Sequence, residues 1–405
     1  MLQNRTLSAV VVARFISLTG TNMTVVALPW FVLATTGSTS KMGLVLACQT
    51  LPALALGIPA GGIVARLGPR RALVLGDTLR APLLAAVPIL HSAGMLSFPV
   101  LLVLVAAIGV FSVPYAAAAN ALLPDMVGED EVEVSRATAA LQVAIQTTGV
   151  IGPVFAGLLI PLIGAQRVLF FDGASYAVSA LIVATLVRVG QARPRAANER
   201  GVLVGLRRIR EDSLLGSIVF VALAAHVALA VLFASLPALS FERFHDARTA
   251  GILFAADAIG SVLGGFAALA LARRMKPLLL GVAGFVIMTA PLWLLTIATP
   301  RPLAIVALFL FGIGGPLGVA PISAILTTRS PSAIRPQVVS AFLAITSAGT
   351  PLGAAGAGYA IAHAGFRGTY VGAAVAMTVA TSLLALSVRR LRATAPETVP
   401  ATSPS

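Results

Sequence analysis

Apolar residues fill this chain in windows of about twenty, a length that carries a helix across a hydrocarbon core. The windows lie near 7–34, 42–64, 72–91, 98–119, 134–160, 168–188, 214–240, 249–271, 277–298, 302–327, 335–363 and 368–388. The pattern predicts an all-α polytopic membrane protein with twelve transmembrane helices. The longest hydrophilic connection, 189–213 ("VGQARPRAANERGVLVGLRRIREDS"), divides the windows six and six. We therefore expect an N-terminal half (1–188), a central cytoplasmic loop (189–213), a C-terminal half (214–392) and a tail (393–405). The tail, "ATAPETVPATSPS", lacks apolar periodicity and is expected to be disordered. The first window runs past residue 30 with no clean small-residue cleavage site, and reads as a retained span rather than a signal peptide.

Composition agrees with lipid as the solvent: 58% of residues are hydrophobic, 10% are charged, and mean hydropathy is +0.97. The net charge of +14 would suit a nucleic-acid partner, until the charges are located. With a cytoplasmic N-terminus, twenty Lys and Arg residues fall on the cytoplasmic side and six on the other, while Arg14 and Arg80 lie within spans. That asymmetry puts both termini in the cytoplasm and makes the arginines topology determinants facing anionic lipid. The expected setting is the cytoplasmic (inner) membrane, with a monomer as the working unit and no nucleic-acid partner. Cys48 is the one cysteine, inside a predicted span, and reads as a small buried apolar residue.

The halves repeat each other. At an offset of 203, Gly57, Gly61, Gly62, Arg70 and Arg71 fall on Gly260, Gly264, Gly265, Arg273 and Arg274. At 201, Gly152, Gly157, Gly164 and Arg188 fall on Gly353, Gly358, Gly365 and Arg389. Such repeats imply a pseudo-symmetric bundle with a cavity between the halves near the midplane. In the fifth span, "GVIGPVFAG" sets Gly149, Gly152, Pro153, Ala156 and Gly157 on one helix face. That face reads either as ordinary close packing or as a seam that permits rocking.

Taken together, these features resemble the major facilitator superfamily: a Gly-rich end of span two followed by Arg66, Gly68, Arg70 and Arg71, the fifth-span motif, and the six-plus-six repeat. More narrowly, "ALLPDMVGEDEVEVSRATAALQ", "GPVFAGLLIPLIG" and "FFDGASYAVSALI" resemble its drug-efflux branch, which includes macrolide exporters and enterobactin-exporter-like proteins. The resemblance covers nearly all of residues 5–392. It implies a secondary active transporter, and the fifth-span motif leans the reading towards antiport and export. The chain departs from the family's G-x-x-x-D-R-x-G-R-R loop at Ala65, where the family carries an aspartate. Either the cytoplasmic latch is weaker, or Asp77, spaced to pair with Arg80 one turn on, supplies the charge. Gly61, Gly62, Arg66, Gly68, Arg70, Arg71, Asp77, Arg80, Arg273 and Arg274 are thus the candidate gating residues.

Acidic residues within spans are Asp77, Asp172 and Asp257. Asp172, near a span end, reads as a local hydrogen-bond anchor. Asp257 lies about eight residues deep among apolar neighbours. A charge there is costly, so a carboxylate can serve by taking up and giving back a proton. The alternative is permanent pairing with a basic group on another helix, such as Arg14. In the first span Thr19, Thr21, Asn22 and Thr24 are too polar for lipid and are expected to face the cavity. Gln142 and Gln146 are candidate substrate contacts or helix–helix hydrogen bonders; His226 is a packed residue or a proton relay; Tyr115 is cavity wall or core. Neither lysine lies in a phosphate-binding GxxxxGK[ST] loop, the histidines and Cys48 show no metal-ligand spacing, and no G-x-S-x-G is present. The expectation is a non-enzyme without cofactor or metal, exporting a small, largely apolar compound (an antibiotic-like drug or a siderophore) in exchange for protons. A solute importer of the same fold is the alternative, and a transport-inactive scaffold or sensor a remote one.

Overall fold

The computed structural model describes residues 5–57, 59–127, 131–187, 199–297, 300–331 and 334–393, and their side chains except 5–7, 120–121, 123–144, 199–203, 336 and 391–393. Lipid offers no water to backbone N–H and C=O groups, and a helix satisfies them within one segment. Every regular element among the described residues is accordingly helical.

The N-terminal half holds α1 (Arg5–Thr36), α2 (Thr39–Thr50), α3 (Pro52–Leu56), α4 (Ala60–Leu67), α5 (Pro69–Ser92), α6 (Phe98–Val127), α7 (Glu131–Ile163) and α8 (Ala165–Leu186). The bridging helix α9 (Glu199–Glu211) leads into α10 (Ser213–Leu239), α11 (Ala247–Ala272), α12 (Pro277–Leu294), α13 (Arg301–Thr328), α14 (Arg335–Ser347) and α15 (Gly349–Ala393). Among the described residues ten stretches are long and apolar enough to cross a membrane, and α2–α4 form one further, bent crossing, turned by 72°. The stretch Gln337–Arg390 has 54 residues, about 80 Å of helix at 1.5 Å per residue. Gly365, with φ 66° and ψ −179°, breaks it into two. Twelve crossings in two six-helix halves result.

The repeat is visible in the backbone. Gly164 opens α8 at φ 85°, and its partner at the offset of 201 is Gly365. Both turns need a left-handed φ that a side chain rarely tolerates. The symmetry is imperfect elsewhere. In the C-terminal half, Gly260 and Gly264 bring α11 onto α13: an added Cβ would stand 2.1 Å from the Phe309 carbonyl oxygen and 2.4 Å from that of Ile313. Their N-terminal counterparts Gly57 and Gly61 are exposed, on the crossing that is broken into three short helices rather than the continuous span the hydropathy predicts. Likewise, part of the hydrophilic stretch 189–213 is helix α9, docked on α14 where Gly205 meets the Gln337 carbonyl.

Within the halves, α1 and α5 pack on α8, and α10 packs on α15. Between halves, α7 meets α11 and α2 meets α15. These seams lie at the face opposite the one carrying the start of α1 and the end of α15; we call it the distal face. A Cβ on Gly43 of α2 would stand 2.6 Å from Gly358 Cα of α15, and one on Gly251 of α11 would stand 2.7 Å from the Pro153 oxygen of α7. Trp30 of α1 meets Phe241, just beyond α10, edge-on at 5.1 Å. Side chains such as Leu162, Leu181, Phe266 and Leu269 point outward as an apolar belt, as lipid contact requires.

Gly358→Val should therefore lower the melting temperature of the purified protein, because overpacking at such a contact costs about 1–3 kcal/mol. Gly372→Val, with nothing within 4 Å of its added Cβ, should leave it unchanged; equal effects would refute the seam.

Candidate functional site

Between the halves lies a cavity of about 570 Å³. The N-terminal half lines it with Asn22 and Val25 of α1 and with Gln146, Gly149 and Pro153 of α7. The C-terminal half adds Ala225, His226, Leu229 and Phe233 of α10, Phe254, Asp257, Ala258 and Ser261 of α11, Met288 of α12, and a wall of α13 from Phe311 to Val319. Most of this lining is apolar, and among the described lining residues Asp257 is the one charged group.

Four sequence candidates thus converge: Asn22, Gln146, His226 and Asp257. Among the described residues no hydrogen bond or ion pair reaches the Asp257 carboxylate, so it does not meet Arg14. The His226 Nδ1–H donates to the Ala222 carbonyl, 2.8 Å away. A carbonyl only accepts, so this bond fixes the proton on Nδ1 and leaves Nε2 as the ring's acceptor. Asn22 Nδ2 donates to Thr148 Oγ1 at 3.1 Å and ties α1 to α7. The Gln142 side chain lies outside the described residues.

The fifth-span face divides its work. Gly149 and Pro153 line the cavity. Gly152 lets α1 approach, since a Cβ there would stand 2.5 Å from Asn22 Cβ. Ala156 is fully buried, and Gly157 faces α11, where a Cβ would stand 3.0 Å from the Ala247 oxygen.

Tyr115 is elsewhere. It belongs to a buried polar cluster inside the N-terminal half, away from the cavity lining. Asp77 and Arg80 pair within α5, with Asp77 at 0% and Arg80 at 4% exposure. The Arg80 guanidinium lies 4.2 Å from the ring centres of both Tyr115 and Tyr176, a geometry that stabilises the cation. Ser17 donates to Asp77 at 3.4 Å, Thr21 and Tyr176 share a bond of 2.9 Å, and Thr24 donates to Asp172 at 2.6 Å. Asp172 also accepts from Ser175 at 3.2 Å, so it anchors the first span as well as its own helix. Of the four polar first-span residues expected in the cavity, Asn22 lines it, Thr21 and Thr24 face α8, and Thr19 donates back to the Phe15 carbonyl at 2.8 Å and is not among the lining residues. Helical spacing of Ser17, Thr21 and Thr24 was the available signal: they share a face that Asn22 does not. Ser261 and Phe233, Phe254 and Phe311 are cavity residues that sequence patterning did not single out.

Asp77, buried with Arg80, does not reach the exposed Arg66 and Arg71 of the α4–α5 turn. Gly68 closes that turn at φ 81°, and Arg70 donates to the Ala184 carbonyl of α8. Gly62 is exposed and so are Arg273 and Arg274. Among the described residues the ion pairs near this turn are Arg207 with Glu211 at 2.9 Å, within α9, and those of Asp212, which caps α10 through the amides of Leu214 and Leu215 and receives Arg329 at 2.8 Å and Arg208 at 3.4 Å. Burial pushes the Asp212 carboxyl up, but the Arg329 hydrogen bond and the capping amides outweigh it, and the group is held below the usual carboxylate range.

The Major Facilitator Superfamily model matches residues 10–333 and 218–404. The chain belongs to that superfamily. Curated relatives of this superfamily transporter include the multidrug efflux pump Tap of Mycolicibacterium fortuitum, 26% identical over 388 residues (92% of this chain, 93% of the relative). The Tap pump of Mycobacterium tuberculosis is 27% identical over 402 residues (94% and 92%). Among solved structures the fold is shared with the nucleoside transporter NupG (TM-score 0.77, 14% identity, 94% of this chain and 99% of that one). It is shared also with a bacterial homolog of the human lysosomal transporter Spinster (TM-score 0.76, 17% identity, 97% and 98%).

Two outcomes follow for the charged clusters of this superfamily member. Arg80→Met strands Asp77 in a buried site and should cost about 3–5 kcal/mol of stability; adding Asp77→Asn should recover most of it, and a double variant no better than the single would contradict the pairing. Asp212→Ala should lower the melting temperature at neutral pH. Because the folded carboxyl titrates below its unfolded value, its stabilisation is present above the ordinary carboxylate range and is lost as pH falls through the folded value. The gap between wild type and variant should therefore close on acidification, and a constant gap would count against it.

Proposed function

We propose that this transporter exports a small, largely apolar compound from the cytoplasm in exchange for protons, by rocking its halves about the cavity. The observation that carries the reading is Asp257: a lone carboxylate on the wall of an inter-half cavity, free of ion pairing among the described residues. Proton and cargo can compete for such a group, which is the minimum that exchange requires. The distal seams support alternating access, because contact between the halves there closes one side of the cavity. With the arginine-rich face in the cytoplasm, the closed side is the outer one and the described state is inward-facing.

The lining narrows the cargo. No Lys or Arg stands among the described lining residues, so an anionic siderophore would enter without a neutralising partner. A neutral or cationic, antibiotic-like molecule fits better against Phe233, Phe254, Phe311 and Met288. Kinship to the Tap pumps supports drug efflux. The NupG likeness, at 14% identity, speaks for the fold alone and leaves an importer as the second reading.

The test is transport in inverted membrane vesicles, after drug-sensitivity profiling of a hypersensitive host has found a cargo. Asp257→Asn should lower pH-gradient-driven transport at least about tenfold, while cargo exchange without a gradient persists. Gradient-driven transport at the wild-type rate would falsify the coupling role of Asp257.

A further inference from the structure

A cavity wall offers hydrogen-bonding groups from its backbone as well as from its side chains. In a helix each carbonyl points at the amide four residues on, and a proline at that place has no N–H to give. Two such pairs stand on the cavity wall among the described residues. Pro153 follows Gly149 by four residues in α7, and Pro316 follows Gly312 by four in α13; all four line the cavity. A glycine can line a cavity only with its backbone. With both ends of each carbonyl-to-amide direction on the wall, each freed oxygen lies on the wall too. Pro29 and Pro237 stand in the same relation to Val25 and Phe233, but neither of those prolines is a lining residue.

The surroundings leave both oxygens open. A Cβ on Gly149 would meet nothing within 4 Å, so α7 presents bare backbone there. Gly312 is pressed onto α11, where a Cβ would collide with the Asp257 carbonyl oxygen and stand 2.9 Å from the Ser261 amide nitrogen. No side chain among the described residues donates to either freed oxygen, Gln146 and Ser261 on the same wall included. The other side chains lean the same way. The His226 N–H and one N–H of Asn22 are spent on Ala222 and Thr148, which leaves His226 Nε2, Asn22 Oδ1 and the Asp257 carboxylate as acceptors. Acceptors without donors are costly once cargo displaces the water that serves them. Cargo that brings its own N–H or O–H groups removes that cost.

We propose that Pro153 and Pro316 set cargo specificity. Each withholds one amide and so gives the cavity one backbone acceptor, the Gly149 oxygen from the N-terminal half and the Gly312 oxygen from the C-terminal half. The pair selects apolar cargo that carries amino, amide or hydroxyl donors over cargo of the same charge and ring system without them. The inference rests on the export reading above and narrows its cargo class. The bend that a proline causes is separable from this role. Pro321 also lies inside α13, but neither it nor Leu317, whose carbonyl it frees, lines the cavity.

The test is equilibrium binding to the purified full chain, read by fluorescence polarisation with two dyes. One is a rhodamine methyl ester with free amino N–H groups; the other is its fully N-methylated counterpart, a cation with the same ring system and no donors. Pro316→Ala restores an amide that closes the Gly312 carbonyl. It should weaken binding of the N–H dye about fivefold, the worth of one lost hydrogen bond, and leave the N-methylated dye unchanged. Pro153→Ala should do the same through Gly149. Both substitutions add a helix hydrogen bond and should fold at least as stably as the parent, and either variant alone decides the matter. Pro321→Ala should change the binding of neither dye. Unchanged binding of the N–H dye, a parallel loss of both dyes, or an equal loss in Pro321→Ala overturns the acceptor role and leaves the prolines as bends. A wild-type protein that binds neither dye overturns the cargo reading itself, and this inference with it. No gradient is applied, so these outcomes are distinct from failure of the proton coupling assigned to Asp257.

Discussion

Inside a bilayer a polar group has no water to fall back on, and most of this structure follows from that constraint. Backbone groups are satisfied by winding into helices, and side-chain polar groups must find one another. The N-terminal half does this with the ladder from α1 to α5 and α8, whose acceptors Asp77 and Asp172 are both at 0% exposure. With Arg80 held between two tyrosine rings and on Asp77, that half is stitched together by polar contacts. The C-terminal half has its own polar contacts, such as Ser235 with Tyr370 at 2.9 Å between α10 and α15, and adds the glycines of α11 and α13 that let backbones touch. The two sequence repeats have therefore kept a common helix order while placing their buried charges in one half and their closest α11–α13 glycine contacts in the other.

That difference bears on how the cavity works. Asn22 and Gln146 enter it from the polar-laced half, whereas His226, Asp257 and the aromatic wall come from the glycine-packed half. Each half delivers its groups on helices fixed from behind: Asn22 by Thr148, and Asp257 by the close α11–α13 crossing, where Gly312 lies against the Asp257 carbonyl. At the distal face the halves touch partly through glycines, where Gly43 meets Gly358 and Gly157 meets Gly251, beside the edge-on pair of Trp30 and Phe241. Glycine contacts of this kind can part and re-form with little side-chain rearrangement, which suits two bodies that rock.

Much of the architecture was legible from residues alone. Twelve crossings followed from apolar length, because the bilayer sets a minimum that no packing detail can change. The repeat could be read from glycines, and Gly164 and Gly365 prove to share a left-handed turn. The broken second crossing was not legible, since Pro52, Gly57 and Pro59 sit in a run whose hydropathy is that of an ordinary span. Nor was the fate of Asp77: its spacing to Arg80 foretold a pair, but the same spacing was open to a surface latch.

The sequence by itself determined that this chain lives in lipid, how often it crosses, that its halves repeat, and that Asp257 is a costly charge. These are properties of composition and spacing, which the solvent reads directly. Which polar residues face the cavity was decided by the tertiary structure. Thr21, Asn22 and Thr24 are near neighbours of similar polarity, and a difference of one or two residues around a helix sends one to the cavity and two to α8. The same holds for Tyr115, which lies with Arg80 rather than on the cavity wall. Facing depends on how each helix is rotated against its neighbours, and that rotation is set by contacts between residues far apart in the chain.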